Sequence, residues 1–158
     1  MIFTNEHKNL KLVIDDILLK KMSIAGIEHY PNEFGGFLIG KYSSDLRTLY
    51  VECILVPEKY SASFFSFERS LDGIENEFKK IFKEKNLYYV GEWHTHPKGS
   101  SMYSNTDLQT MTSIAESETV RINNPILLIL GISAQREISS SFYLYDNLEL
   151  KQYVKDYN

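Results

Sequence analysis

Apolar residues recur along this chain at two different spacings, and the alternation between them outlines a fold before any single residue is considered. Residues 10–14 form a short apolar run that predicts a strand, and from residue 15 to about residue 28 Ile17, Leu18, Met22, Ala25 and Ile27 recur at helical spacing. Pro31 ends that helix. Residues 33–40, Glu-Phe-Gly-Gly-Phe-Leu-Ile-Gly, predict a strand entered through a glycine pair; residues 48–56 predict its hairpin partner, with 41–47 as the connecting loop. Across residues 68–85, Leu71, Ile74, Phe78, Ile81 and Phe82 make one apolar face. Acidic Glu68, Asp72 and Glu75 come early and Lys79, Lys80, Lys83 and Lys85 late, as the helix dipole favours. Residues 87–93 predict a strand running directly into His94, and residues 104–115 a second amphipathic helix carrying Leu108, Met111, Ile114 and Ala115. Residues 125–131 are continuously apolar, as in a strand buried on both faces, whereas 141–145 alternate and predict a more exposed one. Helices interleaved with strands in this way predict an α/β fold, helices packed around a mixed sheet.

Length and charge narrow this outline. With 158 residues, 43% hydrophobic and 24% charged, the chain has the composition of one globular domain spanning residues 1–158. The serine-rich stretches 61–66 and 139–141 are too short to be linkers. A net charge of -4 without a basic stripe argues against nucleic acid or an anionic membrane as partner. The single cysteine, Cys53, can form neither an internal disulfide nor a thiolate-rich metal site, and is expected to be a small buried hydrophobe in a strand; the cytoplasm is the simplest compartment. The first eleven residues lack a signal-peptide pattern, and the longest apolar run, 126–130, is far too short to span a bilayer, so the expectation is a soluble, unprocessed protein.

The chemistry concentrates in Gly91-Glu-Trp-His-Thr-His-Pro97 and Ser104-Asn-Thr-Asp107. Residues two apart in extended chain point to the same side, so His94 and His96 can aim both imidazoles at one point. Asp107, three residues into the next helix, can turn its carboxylate back toward the strand end. That would complete a His/His/Asp set for a zinc ion whose fourth tetrahedral position stays open for water, as a hydrolase requires. Amide cleavage also needs a group to take the proton of that water and deliver it to the departing amine. Glu33, followed by Gly35 and Gly36 that permit close backbone approach, is the leading candidate. Ser104 can donate a hydrogen bond to the developing oxyanion.

Glu33 with Gly-Gly-Phe-Leu-Ile-Gly after it, then His94-Thr-His96-Pro97, seven intervening residues, Ser104, two more and Asp107, resembles the JAMM motif of the MPN/JAB-domain metallopeptidases. The likeness covers most of the chain and is strongest to the minimal prokaryotic JAB proteins, some of which are encoded beside ubiquitin-activating-like and conjugating-like enzymes in antiphage defence systems. The resemblance implies a three-layer α/β/α sandwich of MPN/JAB type, similar to cytidine deaminases. It implies one Zn²⁺ per chain with a catalytic water, held by His94, His96 and Asp107, with Glu33 as general acid/base and Ser104 steadying the tetrahedral intermediate. It further implies an isopeptidase, similar to deubiquitinases, that cuts after the carboxyl-terminal glycine of a ubiquitin-like or similarly tailed protein. Activating-type and conjugating-type enzymes would be further partners. One departure is visible: many relatives have proline immediately before the motif serine, and this chain has Tyr103.

Each element also has a plainer explanation. Ser104-x-x-Asp107 is a common helix start, with serine as N-cap, and both roles can coexist. A histidine pair spaced by one residue occurs in many unrelated folds; no folding requirement, however, asks for all five motif residues together. Glu92 is expected to face away from the histidines in a structural or salt-bridging role, and Trp93 to face away into the core. His7 and His29 have no spacing partners and are expected to be solvated or hydrogen-bonded. Phe64, Phe65 and Phe67 could either anchor a partner's extended tail, laid along a strand edge, or pack the adjoining helix.

Three alternative functions compete with this reading. A zinc nucleobase deaminase needs a Pro-Cys-x-x-Cys segment that one cysteine cannot supply. A metal-dependent hydrolase of the TIM-barrel type needs eight βα units, more than this chain can form. A non-catalytic MPN-like scaffold usually lacks one or more of the motif residues, all of which are present here.

Overall fold

The computed structural model describes residues 1–57 and 74–157. The 61–66 serine stretch, the Phe64, Phe65 and Phe67 cluster and the start of the helix expected over 68–85 lie outside the described residues. The elements run β1 (Ile2–Asn5), β2 (Leu10–Ile14), α1 (Asp16–His29), β3 (Gly35–Tyr42), β4 (Thr48–Leu55), α2 (Ile74–Lys85), β5 (Tyr88–His96), α3 (Asn105–Glu116), β6 (Ile126–Ile132), β7 (Ile138–Asp146), β8 (Glu149–Gln152) and β9 (Val154–Lys155). The strands form one mixed sheet in the order β8-β7-β6-β5-β3-β4-β2-β1-β9, with β2–β4 and β5–β6 parallel and the other pairs antiparallel.

The buried side chains divide by strand alternation into two faces. On one, Leu38, Trp93, Leu128 and Leu130 pack with Leu12, Met22 of α1, Phe34 and Leu144. On the other, Leu127 and Ile129 pack against Met111 and Ile114 of α3, while Phe37 and Ile39 pack against Ile74, Phe78 and Ile81 of α2. One helix on one face and two on the other give the three layers expected from the sequence. Each fully buried leucine or isoleucine stabilises this arrangement by roughly 1.5–3 kcal/mol.

β8 and β9 flank Tyr153 yet pair with opposite edges of the sheet, β7 and β1 respectively. The sheet therefore curls until its two edges share one segment, and the rings of Phe3 in β1 and Phe142 in β7 meet at 4.8 Å. This closure corrects the expectation of an exposed strand at 141–145: every residue of β7 from Ser141 to Asp146 is buried, because the closing edge covers one face and α3 covers the other.

The β3–β4 hairpin forms as expected, but β3 starts at Gly35 rather than Glu33. Asp15 caps α1, its carboxylate accepting from the Ile17 amide at 2.7 Å. Among the described residues no helix is long and apolar enough to cross a membrane.

Candidate metal centre

The centre is built on the end of β5. Residues directly opposite in a ladder share a face, and here Gly35 stands opposite His94 and Phe37 opposite Glu92, while on the other side Ile129 pairs with His94 and Leu127 with Glu92. Phe37, Leu127 and Ile129 all belong to the α2/α3 face, so Glu92, His94 and His96 point there together. Trp93 and Thr95 point to the α1 face, Trp93 fully in the core as expected. The expectation that Glu92 turns away from the histidines is thus wrong: two residues before His94 is the same side, not the opposite one. Among the described residues Glu92 has no ion pair; it lies beside the Tyr89 hydroxyl, and burial pushes its carboxyl up to about 8.

α3 begins at Ser104, whose hydroxyl accepts from the Asp107 amide at 3.2 Å, closing a capping box. In return Asp107 Oδ2 accepts from the Ser104 amide at 2.6 Å and from its hydroxyl at 2.8 Å. The helix start expected from sequence is therefore real, and it also aims Asp107 back at the strand. Asp107 Oδ1 lies 3.1 Å from His94 Nε2, Asp107 Oδ2 lies 3.5 Å from His96 Nε2, and the two Nε2 atoms are 3.0 Å apart. Ligand atoms about 2.0–2.1 Å from a tetrahedral metal stand roughly 3.3 Å from one another, and these separations bracket that value. His94, His96 and Asp107, with one ligand atom each and all three within 4.8 Å, could hold a metal ion.

The electrostatics follow from this convergence. Burial raises the Asp107 carboxyl, but hydrogen bonds from His94 and His96 outweigh it and hold the group well below the usual carboxylate range. The hydrogen bond to Asp107 raises His96, aided by the charges of Asp107 and of Glu33. Glu33 is exposed, and its charge acts on His96. Gly35 permits this closeness: a Cβ there would lie 2.2 Å from the Trp93 carbonyl oxygen and 2.8 Å from His94 Cβ, so any side chain would pry β3 from β5.

The loop from Pro97 to Ser104, which carries Tyr103, is pinned to β7. Ser139 donates to the Gly99 carbonyl at 3.0 Å, Ser101 and Ser141 share a hydroxyl bond at 2.9 Å, and the Tyr143 hydroxyl donates to the Ser101 carbonyl at 2.9 Å. The Tyr103 ring meets that of Tyr143 edge-on at 5.2 Å. The serine-rich stretch 139–141 was the only sequence signal of these anchors. Elsewhere, His29 bonds the Ala25 carbonyl at 2.8 Å and stacks on Phe34, His7 is exposed, and Cys53 is half-buried in β4.

Comparison with known proteins gives the family and the fold. Residues 17–144 match the family described as prokaryotic homologs of the JAB domain. A protein of Enterobacter hormaechei subsp. hoffmannii (strain UCI 50), named CD-NTase/cGAS isopeptidase, is 36% identical over 130 residues, covering 82% of this chain and 72% of the relative. A solution structure from Desulfitobacterium hafniense matches with a TM-score of 0.66 at 16% identity, covering 89% of this chain and 88% of that one. Another from Salinibacter ruber matches at 0.59 and 17% identity, covering 90% and 88%. These two share the fold. With a family match across most of its length and the motif residues gathered at the end of β5, the chain belongs to the prokaryotic homologs of the JAB domain.

Proposed function

We propose that this protein is a zinc-dependent isopeptidase that works in the cytoplasm and releases a tailed protein from its conjugates. The observation that carries the reading is the convergence of His94, His96 and Asp107 under the charge of Glu33. Two neutral imidazoles and one carboxylate are a donor set suited to zinc with one position left open. Zinc, when bound, supplies a Lewis acid that brings the pKa of water toward 7 and polarises the scissile carbonyl. Glu33 takes a proton from water as the new bond to the carbonyl carbon forms, then hands it to the departing amine nitrogen as the carbon–nitrogen bond breaks. Ser104 donates a hydrogen bond to the carbonyl oxygen as charge develops there; its hydroxyl, bonded to Asp107 in the free protein, turns to do so.

The relative from Enterobacter is named for a CD-NTase/cGAS isopeptidase, which favours an amide between the tail of such a protein, or of a ubiquitin-like protein ending in glycine, and a target amine. Activating-type and conjugating-type enzymes would then supply the conjugate.

Metal analysis of purified protein and cleavage of a conjugate joined through the tail of a CD-NTase test this together. The expected result is one zinc per chain and release of the intact tailed protein. Glu33→Ala abolishes cleavage and keeps zinc, whereas His94→Ala and Asp107→Ala lose the metal. A chain without zinc and without cleavage would be a scaffold.

A further inference from the structure

Glu33 sits on exposed chain just before β3, yet the residue after it is buried. Phe34 is 6% exposed; its ring stacks on His29 at 3.7 Å and meets the edge of Trp93 at 5.7 Å. Its backbone is fixed from the other side by Thr95, the residue between the two histidines. The Thr95 amide donates to the Phe34 carbonyl at 2.8 Å, and the Phe34 amide donates to Thr95 Oγ1 at 2.9 Å in a buried bond. A continuing β-ladder would offer that amide a backbone carbonyl. Here a side-chain hydroxyl takes it instead, so the chain leaves the sheet at Phe34 with its amide still satisfied. That departure is why β3 begins at Gly35 and not at Glu33.

Thr95 is itself 1% exposed, and its methyl group faces α1 at Gly26, where an added Cβ would come within 2.6 Å of Thr95 Cγ2. The hydroxyl therefore has little room to reorient. We infer that Thr95 is a positioning residue: from the strand that carries His94 and His96 it holds the Phe34 backbone, and through it sets where the Glu33 carboxylate stands relative to them. The inference rests on the role proposed above for Glu33, and it gives the residue between the histidines a function separate from holding metal. A displacement of about 1 Å in a group that transfers a proton lowers the rate by as much as about 100-fold, so a single hydroxyl at this point is worth testing.

Thr95→Val removes the hydroxyl and keeps the shape, whereas Thr95→Ser keeps the hydroxyl and loses the methyl group against α1. Positioning predicts that kcat follows the hydroxyl: about 10- to 100-fold lower for Thr95→Val with KM and zinc content unchanged, and close to the parent for Thr95→Ser. A purely structural role predicts that Thr95→Ser, which loses packing, suffers at least as much. Should Thr95→Val not fold, Thr95→Ala against Thr95→Ser isolates the same hydroxyl. Hydrogen exchange at the Phe34 amide should quicken in Thr95→Val and not in Thr95→Ser. Full kcat in folded Thr95→Val overturns the inference; full activity in Glu33→Ala overturns instead the role of Glu33, and the exchange rate then still tells whether Thr95 fixes Phe34.

Discussion

Ser104 and Asp107 hold each other three times over: the Ser104 amide and hydroxyl both donate to Asp107 Oδ2, at 2.6 and 2.8 Å, and the Asp107 amide donates back to the hydroxyl at 3.2 Å. The device that starts α3 is thus the same device that orients a proposed metal ligand. The outer partner of a ligand commonly matters to metal affinity almost as much as the ligand itself.

Ser104→Ala should therefore show two separable losses. Removal of the N-cap destabilises the metal-free protein by about 0.5–2 kcal/mol. In a chain of this size that is about 2–4 °C of melting temperature for each kcal/mol. Loss of the bond to Oδ2 should also weaken zinc binding by about 10- to 100-fold. Thermal melts with chelator and a competitive zinc titration measure the two; unaltered affinity beside a lowered melting temperature would reduce Ser104 to a cap.

The protonation of the centre predicts opposite pH trends with and without metal. In the metal-free protein His96 is raised above its ordinary 6.5, mainly by its bond to Asp107. The folded state binds that proton more tightly than the unfolded state, so the stabilisation is complete below 6.5 and fades as pH rises through the elevated value. Asp107, held low, acts in the other sense: its contribution is present above its ordinary 3.8 and is lost only as pH falls toward its depressed value. Metal binding requires the neutral imidazole and expels the proton. The contribution of His96 should therefore make the melting temperature with chelator fall as pH rises above about 6.5, while the gain on adding zinc grows over the same rise. Calorimetric scans at several pH values test this, and a zinc gain that shrinks with rising pH would contradict it.

Glu92 predicts a stabilising substitution. Burial raises its carboxyl from 4.5 to about 8, so ionisation opposes folding from near pH 4.5 upward, and the cost levels off near pH 8. Glu92→Gln keeps the size and removes the charge. The metal-free variant should melt above the parent at pH 8 and show a smaller difference at pH 5; an equal difference at both would mean that ionisation of Glu92 is not what limits stability.

Much of the fold was legible because local physics sufficed. The helix over residues 15–28, although its Ile17 stands exposed, the continuous apolar run of β6 and the N-cap at Ser104 each survive in the structure within a residue or two. The short strands β1, β8 and β9 were not legible: four residues or fewer, with polar side chains among them, carry no period long enough to read. The burial of β7 was misjudged for a related reason, since it comes from partners more than a hundred residues away, such as Phe3.

The sequence by itself determined which residues could meet a metal, because a spacing of two in a strand and a capping serine three residues before an acid fix local directions whatever surrounds them. Tertiary structure alone decided how they are held: Thr95 gripping Phe34 and β7 pinning the loop before Ser104. Those contacts join segments about forty to sixty residues apart through hydroxyl groups and burial, and neither leaves a periodic trace in a chain read one residue after another.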